Sequence, residues 1–252
     1  MLSEESLELI VQDHLAELEW QAGHGPDFAP GSGERDTWND IVLRGRLRNA
    51  VRNLNPGVPE EYLDQAIGEV ITPKSQSAIA ENRRIHQILV EGYRGIEYID
   101  HEGNVQNPTI YFLSSQPHKN DYLSLNQVTV ANLDGERRFD VVCYVNGMPL
   151  AFIELKKTGA NTSVEGAYNQ LQTYVKEFGM AFRFANIVIP SDDLSAKYGT
   201  PFTPWNHFAP WNVDEDGSPV DPNNMVVAGE PVTQLDLLLD GLFNVERFGQ
   251  LY

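Results

Sequence analysis

One cysteine, a shortage of basic residues and no long apolar run set the first limits on this chain of 252 residues. Cys143 lies alone inside an apolar run, which excludes an intramolecular disulfide framework and a cysteine-rich zinc site. No segment approaches the roughly 18 consecutive apolar residues that span a bilayer. Glu4 and Glu5 stand where a secretion signal would carry positive charge, so a cytoplasmic protein without a membrane partner is expected. Eighteen basic residues against 36 acidic ones leave a net charge of -18. That balance argues against a free-standing domain that grips DNA by neutralising phosphates. Chemistry on a nucleic acid would have to borrow affinity from a basic partner or from another part of a longer chain. Solubility is the plainer reading of the same acidity. No Gly-rich loop of the G-x-x-x-x-G-K-[ST] kind is present, which removes ATP binding by that route. His14, His24, His86, His101, His118 and His207 are scattered without metal-ligand spacing and read as surface or core residues.

What is present is enough apolar sequence, 41%, for a packed core. Leu7, Ile10, Val11, Leu15 and Leu18 recur at helical spacing between Ser3 and Trp20, behind an acidic first turn. Residues Gly23 to Gly33 are rich in Gly and Pro and read as a loop. Trp38 to Ile71 has mixed helical patterning interrupted at Pro56 and Pro59, and a further helix is expected over Ser75 to Val90. From Tyr93 the period becomes two, with strands expected at Gly95–Asp100, Tyr122–Val130, Phe139–Val145 and Leu150–Leu155. Asn146-Gly147 is a hairpin signal between the last two. A helix over Ser163–Phe178 follows, with Thr162 and Glu165 as a capping box, then a buried strand at Phe182–Ile189. Residues Asp192 to Asn224 look irregular, and Val232 to Phe248 reads as one last helix. The core order is therefore helix, three or four strands, helix, strand. That order is an α/β class, a mixed β-sheet flanked by helices, in a single domain over 1–252 whose core ends near 190.

The chemistry concentrates in Asp140, then the hairpin, then Glu154-Leu155-Lys156. Residues two apart on a strand share a face, so Glu154 and Lys156 project together. A three-residue loop, Asn146 to Met148, pairs Val145 with Pro149 and sets Asp140 opposite Glu154. Opposed Cβ atoms lie about 4.5 to 5.5 Å apart, close enough for two carboxylates to share one cation. A strict two-residue turn puts them on opposite faces, so the site depends on register. Hydrolysis of a phosphodiester needs a nucleophilic water and stabilisation of charge on the phosphate. A hard cation such as Mg²⁺, held by Asp140, Glu154 and the Leu155 carbonyl, meets both needs, and Lys156 orients the water. A solvated hairpin face with cross-strand acid and lysine pairs is the competing reading. Against it stand the apolar neighbours Val141, Val142, Phe152 and Ile153, which mark central strands where unpaired charge is costly. The next helix also carries Gln170 and Tyr174 four apart, on one face. They are placed to reach nucleic acid or to position Lys156, although Tyr174 equally belongs to the apolar stripe. Glu8 shares a stripe with Val11 and Leu15 and reads either as a third, inward carboxylate or as a solvated residue, with Glu4 or Glu5 in its place.

The joint pattern resembles a known family, the N-terminal nuclease region of the restriction (R, or HsdR) subunit of type I restriction enzymes. The residues that carry the resemblance are Arg138-Phe139-Asp140-Val141-Val142, Val145-Asn146-Gly147-Met148-Pro149-Leu150, Ile153-Glu154-Leu155-Lys156-Lys157 and Gln170-x-x-x-Tyr174. They are similar, in order and spacing, to the R-x-D-[VI], V-N-G-x-P-L, [IV]-E-L-K and Q-x-x-x-Y signatures of that family. Weaker similarity reaches Ser3-Glu4 with Leu7-Glu8, Arg83-Arg84-Ile85-His86, and Tyr198-Gly199-Thr200 with Trp211. Phe139 departs from the family, which often has proline or another residue before the aspartate. The resemblance implies a PD-(D/E)xK nuclease fold, Mg²⁺ dependence and cleavage of double-stranded DNA. It also implies ATP-driven translocation by a motor outside residues 1–252, and modification (methyltransferase) and specificity subunits as partners. The chain is then expected to be the N-terminal part of a longer subunit and to bind DNA weakly alone. A recombination or repair nuclease of the Q-x-x-x-Y class, and a docking module that kept the fold and lost cleavage, are the rival readings.

Overall fold

Ser3 opens the first helix, its side chain accepting a hydrogen bond from the Ser6 amide, with Glu4 and Glu5 at the positive end of the helix dipole. This helix, α1 (Glu4–Glu17), buries Leu7, Val11 and Leu15. The computed structural model describes residues 3–133, 135–157, 163–192, 194–214, 216–221 and 225–251. After α1 come β1 (Gln21–His24), α2 (Arg44–Leu54), α3 (Glu60–Ile71), α4 (Ala78–Glu91) and a small ribbon of β2 (Tyr98–Ile99) with β3 (Val105–Gln106). Three long strands follow, β4 (Tyr122–Asn132), β5 (Gly135–Val145) and β6 (Met148–Leu155), and then α5 (Val164–Glu177) and β7 (Ile187–Ser191). A ribbon of β8 (Val226–Val227) and β9 (Glu230–Pro231) precedes α6 (Gln234–Leu242) and α7 (Val245–Gly249).

The main sheet has the order β1-β4-β5-β6-β7. Its outer pairs, β1 with β4 and β6 with β7, are parallel, and the inner pairs are antiparallel. α5 makes the crossover that a parallel β6–β7 pair requires. One face of the sheet, carrying Val141, Cys143 and Ile153, packs on α1, α3, α4 and α6; the other, carrying Val142, Tyr144 and Phe152, packs on α5. A mixed sheet flanked by helices is thus what forms, with β5 and β6 at its buried centre.

Several expectations need correction. Gly23 and His24 are strand, not loop, because β1 adds to β4 in parallel through its backbone. Within Gly95–Asp100 only Tyr98 and Ile99 form a strand, outside the main sheet. Phe182 lies in a short 3-10 turn, Ala181–Phe184, and the strand begins at Ile187. The Asn82 side chain takes the Arg183 and Ala185 carbonyls, which turns that backbone toward α4. The final helix is two, since the Asn244 side chain accepts from the Glu246 amide and caps a new one. Thr162 lies outside the described residues, and α5 is capped by Ser163, which accepts from Gly166. No helix among the described residues is long and apolar enough to cross a membrane.

The C-terminal helices are bound to α1 and to Trp20 just beyond it in two ways. Trp20 is 2% exposed, packs against Tyr122, Phe243 and Phe248, and donates its indole hydrogen to the Phe243 carbonyl at 2.7 Å. Loss of such a ring costs about 3–5 kcal/mol, so apolar burial dominates this contact. The second is ionic. His14 Nε2 lies 2.6 Å from Asp240 Oδ1, and its Nδ1 lies 3.6 Å from Asp236 Oδ1. Hydrogen bonds to Asp236 and Asp240 outweigh burial and lift the imidazole from 6.5 to about 9. A raised pKa means that the folded state holds the proton more tightly. The stabilisation is therefore complete below pH 6.5 and is lost as pH rises through about 9. Both acids are about a third exposed, 35% and 33%, so solvent screening leaves roughly 1–2 kcal/mol. Thermal unfolding is expected to weaken between pH 6.5 and 9.5, and His14→Gln to flatten that part of the profile. An unchanged profile in the variant contradicts the assignment.

Candidate active site

The register that the site depends on is reached by an unexpected route. Asn146 (φ 51°) and Gly147 (φ 78°) make a two-residue turn of the mirror-image kind suited to strand twist. Val145 pairs with Met148 and Tyr144 with Pro149, not Val145 with Pro149 as expected. Carried through, that pairing would set the two acids on opposite faces. A β-bulge intervenes, because the next pair is Cys143 with Ala151, which leaves Leu150 as an extra residue in β6. Val142 then meets Phe152 and Val141 meets Ile153. One step further, Asp140 stands level with Glu154. The turn itself is fixed by Asn146, fully buried, whose side chain donates to the Phe112 carbonyl and accepts from the Asp121 amide.

Asp140, Glu154 and Lys156 come together at the end of β6 away from this turn, level with the middle of β5. Asp140 Oδ2 accepts the Leu155 amide at 2.8 Å. Glu154 is 1% exposed, and Lys156 Nζ donates to its Oε1 at 3.0 Å and to the Leu155 carbonyl at 3.4 Å. The ammonium thus touches two of the oxygens expected to hold a cation. Burial, reinforced by the charge of Asp140, pushes Glu154 up to about 8, and burial raises Asp140 as well. Burial opposes the charge on Lys156, but Glu154 and then Asp140 overcome it and leave the amine above its usual range. One ammonium does not neutralise this group of acids, and a buried pair held above the ordinary carboxylate range must take up protons or another cation.

The first helix adds to the cluster. Glu8 faces inward at 2% exposure, accepts from Asn126 Nδ2 at 3.4 Å and feels the Asp140 charge. Burial lifts it to about 7. Glu4 is half-exposed and reaches within 4.0 Å of Lys156 Nζ, while Glu5 is exposed and acts on Glu8 only through its charge. On α5, Gln170 donates its side-chain amide to the Tyr174 hydroxyl. The Tyr174 ring belongs to the apolar stripe and packs edge-on against Phe139, and its hydroxyl is shifted upward by burial and then by the charge of Glu154.

The sequence reading missed Asn126, Gln127 and His24, which approach the same cluster. His24 Nδ1 lies 2.8 Å from Asn126 Oδ1, and Gln127 hydrogen-bonds Glu8. A signal for them exists. β4 sends Leu123, Leu125, Val128 and Val130 to one face, so its alternation breaks at Asn126-Gln127.

Among the described residues no three of His, Cys, Asp and Glu converge tightly enough to enclose a metal ion alone. Two adjacent carboxylates and one carbonyl nevertheless fit Mg²⁺, which keeps several waters and takes only one or two carboxylates from a protein. The donors are all oxygen, which favours a hard cation over zinc or copper.

Comparison with known proteins gives this geometry a context. Residues 1–207 match the sequence model of the family described as type I restriction enzyme R protein N terminus. The chain is similar to the putative type I restriction enzyme MjaIXP endonuclease subunit of Methanocaldococcus jannaschii, with 28% identity over 245 residues, 92% of this chain and 23% of that protein. It is also similar to the type I restriction enzyme HindI endonuclease subunit of Haemophilus influenzae, with 28% identity over 252 residues, 98% of this chain and 23% of that protein. The EcoprrI endonuclease subunit of Escherichia coli is 29% identical over 169 residues, 64% of this chain and 50% of the relative. The chain therefore spans less than a quarter of the length of the first two relatives.

Proposed function

Since this chain belongs to the family of type I restriction enzyme R protein N termini, we propose that it is the Mg²⁺-dependent nuclease region of a longer restriction subunit. In this reading it has a PD-(D/E)xK core and hydrolyses phosphodiester bonds of double-stranded DNA. The observation that carries the proposal is the convergence of Asp140, Glu154 and Lys156 on one buried spot. Asp140, Glu154 and the Leu155 carbonyl are the groups that would hold the cation, with Glu8 as a further carboxylate beside Asp140. When bound, the cation supplies an activated water and stabilises charge on the phosphate.

The residues themselves do the rest. Lys156 is held by Glu154 where its ammonium can orient the attacking water and offset charge as it develops on the phosphate. Tyr174, which accepts from Gln170 on α5, stands near enough to feel the charges of Glu154, Asp140 and Lys156, and in this reading the pair fixes the phosphate or Lys156 in place. In this reading residues 1–252 act as one domain, and the core does not end near 190 but takes in Leu235 to Phe248 of α6 and α7. The net charge of -18 makes duplex DNA a poor partner for this part alone. Delivery of DNA falls to an ATP-driven translocase elsewhere in the longer subunit, and to modification and specificity subunits, in the cytoplasm.

Calorimetric titration of the chain with Mg²⁺ tests the proposal. One specific site, abolished by Asp140→Ala in a protein that still melts cooperatively, is the expected result. Absence of specific binding in the parent would point to a docking module that has lost cleavage.

A further inference from the structure

Opposite Asp140 the structure holds a residue in an uncommon conformation. β4 and β5 pair as Asn126 with Val141 and Val128 with Phe139, so Gln127 is the residue level with Asp140. Gln127 has a φ of 54°, in the left-handed region that side chains other than Gly, Asn and Asp rarely occupy. Both strands break alternation here in step. In β4 the face toward α5 receives Leu125 and then Val128; in β5 it receives Val142 and then Phe139. Two residues per strand are thereby turned out of the regular pleat: Asn126 and Gln127 on one side, Val141 and Asp140 on the other.

The neighbouring strand is shaped to accept this irregularity. Gly25 follows β1 directly, and a Cβ there would lie 2.6 Å from both the Asn126 and the Gln127 carbonyl oxygens. A side chain at position 25 would force the kinked backbone away. The kink aims two amides at one target: Asn126 Nδ2 lies 3.4 Å from Glu8 Oε2, and Gln127 also bonds that carboxylate. A left-handed residue is strained and persists where the surroundings over-determine it, most often at functional sites.

We propose that Gln127 is a positioning residue of the site, whose left-handed backbone aims its side-chain amide at Glu8 and holds that carboxylate beside Asp140. It acts through Glu8 and touches neither cation nor DNA. This inference rests on the reading that Asp140 and Glu154 hold a divalent cation.

Gln127→Gly removes the amide while keeping a residue at ease with positive φ, so the strand geometry survives. Mg²⁺ affinity of the chain is expected to fall five- to tenfold in the parent background and less than twofold in a Glu8→Ala background. Equal losses in the two backgrounds, or no loss in the parent, would overturn the proposal. A metal-free reading runs beside it: the Gln127 side-chain amide resonances should move toward their solvent-exposed positions in Glu8→Ala. Amide resonances indifferent to Glu8→Ala overturn the positioning role whatever the metal result. If instead Asp140→Ala leaves Mg²⁺ binding intact, the cation reading falls separately and the amide resonances still decide the role of Gln127.

Discussion

On the proposed function, Lys156→Ala in the complete restriction assembly is expected to lower DNA cutting by about a thousandfold or more, while the proposed ATP-driven movement along DNA continues. The size follows from what the ammonium touches. It lies 3.0 Å from Glu154 and 3.4 Å from the Leu155 carbonyl, so its charge is delivered where a phosphate would be attacked. A preorganised charge in a half-buried site is worth far more than the same charge in water. The substitution should leave the fold standing. Glu154, already pushed to about 8, is pushed higher still without the ammonium and stays protonated at neutral pH rather than standing as a bare buried charge. Unfolding curves for parent and variant measured beside the cutting assay check this. Retained cutting, or loss of cutting and movement together, would remove Lys156 from the chemistry.

A large loss of stability is expected at Gly147, far from the acids along the same hairpin. Its φ is 78°, and a Cβ there would lie 2.4 Å from the Leu43 carbonyl oxygen and 2.7 Å from the Leu47 amide nitrogen. Neither neighbour can retreat cheaply, because both are backbone at the start of α2, and the Leu43 amide donates to the Gly147 carbonyl at 2.9 Å. Gly147→Ala therefore combines left-handed strain with a backbone clash, together about 3 kcal/mol or more. For a chain of this size that is roughly a 6–12 °C fall in melting temperature. A fall under about 2 °C would show that the turn relaxes freely. Mg²⁺ binding should weaken as well, since this turn and the Leu150 bulge together set Asp140 level with Glu154.

The two predictions meet in how the site was legible before the fold. Asp140, Glu154 and Lys156 stood out because apolar neighbours on both strands left the charges no role on a solvated face. Their register did not stand out. An Asn-Gly step announces a tight turn, but the extra residue at Leu150 depends on packing that alternation cannot show. β1 was illegible for a related reason: Gly23 and Gly25 look like loop, and what makes the segment strand is its backbone pairing to β4. With β1 hidden, the place of His24, Asn126 and Gln127 beside Glu8 was hidden too. Glu8 itself was half legible. Its stripe with Val11 and Leu15 pointed inward, but only the packing of α1 on the sheet decides between burial and solvent. The C-terminal helices show the limit of periodicity, since apolar residues from Leu235 to Phe248 kept helical spacing across a break made by one side-chain cap at Asn244.

A divalent cation held between Asp140 on β5 and Glu154 on β6 is the centre of the proposed chemistry. Crystals of the chain soaked in Mn²⁺ should show one strong anomalous peak in contact with Asp140, Glu154 and the Leu155 carbonyl, with the Lys156 amine displaced from its present contact with that carbonyl. Saturating Mn²⁺ with no peak there, and Lys156 still seated on Glu154 and the Leu155 carbonyl, would contradict it.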